Sequence, residues 1–161
     1  KIINPKALLA VDRPGCTYCI NRNLIPLMKQ QLFDECPHDA LAWRTAALLD
    51  QLYVLHSPLI TFRRHDNNAS DNTKRSRLAR ISTAEYFIEL MSRLEKCCIM
   101  YIDANNKKEY IQNTIQTQRR RIEYLEKRSF GKWLLCLIYI KNYPSLNTYV
   151  ADGISILICK E

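Results

Sequence analysis

The chain has 161 residues, 47% of them hydrophobic and 25% charged, which excludes a disordered chain and a small domain that needs disulfides to fold. Its 24 Lys and Arg against 16 Asp and Glu give a net charge of +8, which favours an anionic partner such as nucleic acid, an anionic membrane surface or a phosphorylated ligand. The 7 cysteines form no regular framework, so reduced thiols and a cytoplasmic location are expected.

The first half of the sequence predicts short strands and two helices. A turn signal followed by β-favouring residues predicts a strand over residues 14–20, and apolar residues at helical spacing predict a helix over residues 23–32. Pro37 and the acidic residue after His38 predict the start of a second helix, which should end near Asp50. Residues 52–62 are β-rich but interrupted by Pro58, which predicts two short strands or an edge strand. Residues 63–80 predict a basic loop.

The second half of the sequence predicts helices throughout. Residues 82–85 have the form of a capping box, and apolar residues at three- and four-residue steps follow as far as Tyr101. A second periodic set, from Ile111 to Leu125, predicts an antiparallel partner for that helix. Residues 132–142 predict a third helix, Pro144 a break, and residues 145–159 a final amphipathic helix. No run is apolar over the roughly 20 residues that a membrane span needs.

Three segments contain the residues from which a function can be inferred. They are residues 13–22 (RPGCTYCINR), residues 37–39 (PHD) and residues 57–68 (SPLITFRRHDNN), in that order. Together they resemble the C-terminal, acceptor-side part of family 2 glycosyltransferases of the GT-A type, in particular the bacterial rhamnosyltransferase-like branch. That branch has a Gly-Cys-Thr strand, a His-Asp pair and a Pro-Leu-x-x-Tyr-Arg-x-His-x-Asn-Asn segment. The resemblance implies an α+β fold that is mostly helical, with short edge strands of a GT-A sheet.

The resemblance implies a sugar transfer in which an acceptor hydroxyl attacks the anomeric carbon of a nucleotide-activated sugar. The partners would be a nucleotide-sugar donor and a saccharide or lipid-linked acceptor in surface polysaccharide synthesis. A carboxylate near the acceptor must take the hydroxyl proton, and Asp39 matches this catalytic base. His38 is a second catalytic candidate that would orient the acceptor or the carboxylate. A simpler interpretation is that Asp39 caps its helix and His38 is a solvated residue at the helix start.

Two further groups of residues match the family's pattern. Arg63 and His65 match positions that can reach the diphosphate or its bound metal ion, so both are candidate cofactor-binding residues and His65 is a candidate metal ligand. A solvated basic strand end is the alternative for this pair. Gly15, Cys16 and Thr17 are expected at the wall of the acceptor pocket, because glycine allows close backbone approach and threonine offers a hydroxyl. Core packing of a short strand is the alternative for Cys16.

The sequence also departs from the family's pattern. Phe62 stands where tyrosine is common and Asp66 where glycine is common, so a hydroxyl contact is lost. No Asp-x-Asp motif and no glycine-rich phosphate loop occurs in the sequence. The first residue is Lys1, and no signal-peptide pattern is present. The nucleotide-binding half, with its Mg²⁺ or Mn²⁺, is therefore expected in a longer parent enzyme, and this chain is expected to be an inactive fragment that binds no cofactor alone.

Outside the three segments, the sequence leaves several functions open. The resemblance divides the chain into an acceptor-side part, residues 1–80, and a helical extension, residues 81–161. The basic helices and amphipathic end of the extension are candidates for peripheral contact with the inner membrane face, or they serve solubility alone. The alternative function is a basic helical binding or scaffold module, supported by the net charge and by residues 119–121, although no standard nucleic-acid motif is present. Unpaired strand edges would then favour self-association.

A zinc site is the remaining alternative for the N-terminal cysteines. Cys16, Cys19, Cys36 and His38 supply the ligand types of a tetrahedral zinc site. On a strand, however, Cys16 and Cys19 would face opposite sides. The predicted strand therefore argues against zinc.

Overall fold

The structure is a computed structural model that describes residues 4–11, 13–34, 36–57, 76–101 and 105–158, together with Lys1 and Thr61. These residues form α-helices and short 3₁₀ turns and contain no β-strand, so the mostly helical prediction is confirmed. The helices are α1 (Ile25–Gln31), α2 (His38–Leu48), α3 (Arg77–Tyr101), α4 (Asn105–Glu126), α5 (Phe130–Leu135) and α6 (Leu146–Ile158).

The strand predicted over residues 14–20 is wrong. Gly15–Thr17 form a 3₁₀ turn, in which the Tyr18 N–H donates to the Gly15 carbonyl at 3.1 Å. The Thr17 hydroxyl donates to the Pro14 carbonyl at 2.7 Å, and such local bonds compete with strand pairing. Residues 53–57, which belong to the strand region predicted over residues 52–62, likewise contain no strand. Most of the other residues of that region lie outside the described residues.

The predicted helices are present with shifts at their ends. The 3₁₀ turn Arg22–Leu24 leads into α1, and the helix expected after Pro37 is α2. The capping box predicted at residues 82–85 lies inside α3, because this helix begins earlier. Its first turn is capped by Ser76, whose hydroxyl accepts the Ala79 N–H at 3.2 Å. The third predicted helix is α5 followed by a 3₁₀ segment, Cys136–Asn142.

Helices α3 and α4 form the antiparallel hairpin that the sequence predicts. Arg77 at the start of α3 donates to the carbonyl of Leu125 near the end of α4, at 3.0 Å. Nearer the other end of the hairpin, Gln112 donates to the carboxylate of Glu95 at 2.6 Å. The two helices therefore run side by side in opposite directions.

Two hydrophobic clusters pack against this hairpin. The first joins the N-terminal segment and α2 to the later turns of α3 and the first turns of α4; its fully buried members include Leu8, Leu41, Leu48, Leu90, Met91, Leu94 and Ile111. The second joins the start of α3 and the end of α4 to the C-terminal elements; its members are Ile81, Tyr124, Leu125, Cys136, Tyr143, Tyr149 and Ile156. The hairpin thus connects the candidate acceptor-side part to the C-terminal elements.

Helix α2 is joined to the N-terminal segment through two buried side chains. The Arg44 guanidinium donates to the carbonyls of Leu8 and Leu9, at 2.8 and 3.3 Å, and to the carbonyl of Ala40 at 3.1 Å. Beside it, the indole N–H of Trp43 donates to the Ala7 carbonyl at 2.9 Å. These bonds satisfy backbone carbonyls that would otherwise be buried without a donor.

The C-terminal end of α2 is capped by Lys107 of α4. Its ammonium group donates to the carbonyls of Ala47 and Leu48 at 3.2 and 2.7 Å and lies 2.7 Å from the carboxylate of Asp50. Asp50 has a φ of 55°, the left-handed conformation with which many helices end. Lys107 is only 3% exposed, and the helix macrodipole favours a cation at this end.

Replacing Lys107 with methionine should lower the free energy of unfolding by about 2–4 kcal/mol, because two carbonyls and Asp50 lose a buried partner. Urea denaturation followed by circular dichroism measures this change. The control is Lys127→Met, which removes an exposed ion pair with Glu123 and should leave the midpoint unchanged. Equal effects of the two substitutions would contradict the capping role of Lys107.

Candidate active site

One cavity of about 410 Å³ brings together residues from two of the three sequence segments, residues 13–22 and residues 37–39. The Gly15–Thr17 turn forms one side, and the first residues of α2 form the other. The residues that line it are Gly15, Cys16, Tyr18, Ile20, His38 and Asp39. Two segments that are distant in the sequence therefore meet at one place.

The carboxylate of Asp39 lies against the backbone of Gly15. A Cβ atom at position 15 would lie 2.5 Å from the Cβ of Asp39 and closer still to its Oδ2 atom. The other carboxylate oxygen, Oδ1, accepts the N–H of Ala40 at 2.7 Å. Glycine is therefore needed at position 15 for this arrangement, and one oxygen of Asp39 is held by the helix while the other faces the turn.

The capping interpretation of Asp39 accounts for only part of this geometry. Asp39 accepts one of the unpaired N–H groups of the first turn, but the residue at the N-cap is Pro37, which offers no side-chain acceptor. The position remains favourable for a negative charge because of the macrodipole. His38 is exposed and lines the same cavity. Asp39 thus caps the helix in part and also faces a cavity, and its role as a catalytic base stays a prediction.

The predicted pocket wall is present in part. Gly15 and Cys16 line the cavity, whereas Thr17 is not among its lining residues and uses its hydroxyl within the turn. Cys16 is exposed, so the core-packing interpretation is wrong, because the strand that would have buried it does not form. Tyr18 was not singled out from the sequence, although it follows the Gly-Cys-Thr motif directly. Its hydroxyl donates to the Arg13 carbonyl at 2.8 Å, which holds its ring in place.

A second layer of residues lies beside the start of α2. The thiol of Cys36 is 3.8 Å from the hydroxyl of Tyr86. Burial raises the pKa of the Cys36 thiol and raises the pKa of Tyr86 to about 12. Both groups are therefore neutral near pH 7. The guanidinium groups of Arg44 and Arg93 both act electrostatically on the Cys36 thiol.

The predicted cofactor-binding residues Arg63 and His65 lie outside the described residues, so their roles stay predictions. Within the part of the chain that the structure describes, no group of three His, Cys, Asp or Glu residues could hold a metal ion. Cys16 and Cys19 are exposed while Cys36 is buried, which gives the zinc alternative no converging ligands.

One member of the basic triplet at residues 119–121 is used inside the protein, while Arg119 and Arg120 are exposed. Arg121 is 1% exposed, and its Nε and Nη2 atoms donate to the two carboxylate oxygens of Asp152 at 2.6 and 3.0 Å. Arg80 and Tyr124 also donate to this carboxylate, at 3.2 and 2.8 Å. The guanidinium of Arg120 lies 4.1 Å from the ring centre of Tyr139. The triplet therefore does not present three free cations to a partner.

Comparison with known proteins gives no match: no family model, no curated protein and no solved structure matches this chain. None of the helices in the described ranges combines the length and apolar character needed to cross a membrane. A function must therefore be argued from the residues themselves and their geometry.

Gly15→Ala should displace the Asp39 side chain, because the new methyl group would overlap the carboxylate. We expect a shift of the Ala40 amide signal in NMR spectra and a loss of about 1–3 kcal/mol in the free energy of unfolding. Gly131→Ala is the matched control, since nothing lies within 4 Å of a Cβ atom there and a helix favours alanine. An unchanged Ala40 signal in Gly15→Ala would contradict the contact.

Asp152→Asn should destabilise the protein by about 3–5 kcal/mol, because the buried guanidinium of Arg121 would lose its compensating charge. The free energy of unfolding from denaturant titration measures this effect. Asp34→Asn, at an exposed aspartate, is the control and should have little effect. Similar stability of the two variants would show that Asp152 does not organise the C-terminal elements.

Proposed function

We propose that the N-terminal part of the chain is the acceptor-side part of a nucleotide-sugar-dependent glycosyltransferase that acts in surface polysaccharide synthesis. The observation that carries the proposal is the meeting of the Gly15–Thr17 turn with His38 and Asp39 around one cavity. The resemblance requires these two segments to form one acceptor site, although the sequence alone gives no reason for them to adjoin. The mostly helical fold agrees with the helical character expected of this part, whereas a 3₁₀ turn replaces the edge strand expected over residues 14–20.

The cavity suits one small polar acceptor. Its volume of about 410 Å³ lies in the range of roughly 300–1,000 Å³ that is usual for small-molecule sites. Tyr18 and Ile20 offer apolar surface for the C–H face of a sugar, while His38 and Asp39 offer polar atoms for its hydroxyls. This mixture of apolar surface and a few polar groups is typical of specific ligand sites.

Asp39 is the proposed general base. As the acceptor hydroxyl oxygen bonds to the anomeric carbon, its proton passes to Asp39, and the nucleoside diphosphate leaves with the electron pair of the broken bond. The Ala40 N–H holds Oδ1, so the carboxylate is positioned before the acceptor binds. His38, the neighbouring residue on α2, would bind a second acceptor hydroxyl and so orient the reacting one.

The donor side of the reaction is proposed to lie in the parent enzyme. Arg63 and His65 would approach the diphosphate of the donor or its Mg²⁺ or Mn²⁺ ion, which neutralises charge on the leaving group when bound. From its described residues, this chain would contribute the acceptor cavity and the general base.

The alternative, a basic binding or scaffold module, has less support. Arg121 is buried against Asp152, and Lys107 is buried against the end of α2. Neither cation is available to a nucleic acid, although nucleic-acid affinity depends on cations that neutralise phosphates. Because these two cations are buried, the protein has less basic surface for such a partner than its net charge of +8 suggests.

Asp39→Asn in the complete enzyme should lower kcat for sugar transfer by about 10²–10⁴-fold with little change in the KM for the acceptor, because the amide cannot take the proton. Release of nucleoside diphosphate from a panel of nucleotide sugars, with saccharide acceptors, measures the rate. The control is Asp34→Asn, an exposed aspartate outside the cavity.

Two results would contradict the proposed function. One is an Asp39→Asn enzyme that transfers sugar at the wild-type rate. The other is a complete wild-type enzyme that releases nucleoside diphosphate from no nucleotide sugar but binds duplex DNA with a steep salt dependence, which would favour the alternative.

A further inference from the structure

The C-terminal elements expose many large apolar side chains, which we call the C-terminal apolar face. Helix α6 and the α5 and 3₁₀ segments each contribute to it. Its members are Phe130, Leu134, Leu135, Leu137, Ile138, Leu146, Val150, Ile154, Leu157 and Ile158. Two of them, Ile138 and Ile158, are 75% and 72% exposed. Soluble monomers rarely expose a large apolar patch without a partner that covers it.

Helix α6 is amphipathic in an unusual way. Leu146, Val150, Ile154 and Leu157 follow one another at steps of four, four and three residues, which places them on one side of the helix. These four are exposed, whereas Asp152 on the other side of the helix is fully buried in the cluster with Arg121. The helix therefore directs its charged residue inward and its apolar residues outward.

The exposed residues of α5 and α6 lie on neighbouring elements, because these two helices pack against each other. The Trp133 ring stacks on the Tyr149 ring with centres 4.8 Å apart, and the Trp133 indole donates to the Tyr149 carbonyl at 3.0 Å. At Gly153, a Cβ atom would collide with the Trp133 ring. The contact is thus close and leaves the other sides of both helices open.

The exposed charged side chains of the C-terminal elements themselves, residues 129–158, are positive. From residue 129 to residue 158 the charged side chains are Lys132, Lys141 and Asp152, and Asp152 is fully buried. Lys132 also bonds to Glu123 of α4, while the exposed Lys141 lies in the 3₁₀ segment of the face. Arg120 adds a further cation where its guanidinium covers the ring of Tyr139. An exposed apolar surface with a cationic border is complementary to an anionic lipid surface.

We propose that the C-terminal apolar face binds the surface of an anionic lipid bilayer. The exposed side chains of α6 and of the 3₁₀ segment would enter the boundary between headgroups and acyl chains, and Arg120 and Lys141 would contact the anionic headgroups. No described helix can span the bilayer, so the elements lie in its surface. This inference does not depend on sugar transfer.

A second copy of the chain is a weaker candidate for the occupant. A two-fold dimer places the same surface on both sides of its interface. Pairing two C-terminal apolar faces would therefore bring the cationic borders of the two copies together, and like charges at an interface oppose association. Anionic lipids cover the same apolar area and attract those cations.

Flotation of the whole chain with lipid vesicles tests the proposal. The protein should float with vesicles of phosphatidylcholine and phosphatidylglycerol, and about tenfold less with phosphatidylcholine alone, because anionic lipids attract the cationic border. The triple variant Ile138→Ser, Ile154→Ser and Leu157→Ser should lower the bound fraction about tenfold or more, because less apolar surface enters the bilayer.

The matched control is the triple variant Tyr53→Ser, Leu55→Ser and Leu78→Ser, which removes three exposed apolar residues elsewhere, with exposures of 68%, 74% and 65%. It should float like the wild type, and circular dichroism should show that both variants are folded. Wild-type protein that stays unbound, or equal flotation of the two variants, would overturn the proposal. A concentration-dependent dimer that only the first triple variant abolishes, without flotation, would identify a second copy as the occupant.

Discussion

The buried guanidinium of Arg44 is the interaction on which the N-terminal half depends. It binds the carbonyls of Leu8, Leu9 and Ala40, so it joins the N-terminal segment to α2. Burial lowers the pKa of this guanidinium from its ordinary value, yet arginine stays protonated in proteins. A buried cation must have acceptors, and these carbonyls supply them. The turn that follows the N-terminal segment is thereby held near the start of α2, where the cavity forms.

The same use of buried cations recurs in the rest of the molecule. Lys107 caps α2 from the hairpin, and Arg121 holds α6 through Asp152. Each cation meets oxygen atoms that its own segment does not contain, so each specifies how two parts of the chain pack. As a result, part of the net charge of +8 serves the interior. Among the described residues, the cations that remain exposed include those that border the C-terminal apolar face.

The helices could be predicted from the sequence because apolar spacing is a local property. The strand predicted over residues 14–20 is absent, because hydrogen bonds within the Gly15–Thr17 turn outweigh β-propensity. These bonds could not be predicted from the sequence. For the candidate site, the motifs indicated Gly15, Cys16, His38 and Asp39, but not that the first segment meets the second. That meeting depends on Arg44 and Trp43, whose acceptors lie about 35 residues away. The burial of Arg121 could not be predicted from the sequence either, because its partner Asp152 belongs to another helix.

The close approach of Gly15 to Asp39 has a consequence for how this protein can change over evolutionary time. A side chain at position 15 and a carboxylate at position 39 compete for the same space. One of the atoms in the way is the Cβ of Asp39, 2.5 Å from a Cβ at position 15, and every residue except glycine has this atom. Replacing the aspartate would therefore not free position 15 for a side chain. Among any descendants of this sequence that keep this fold, position 15 should stay glycine even where position 39 changes.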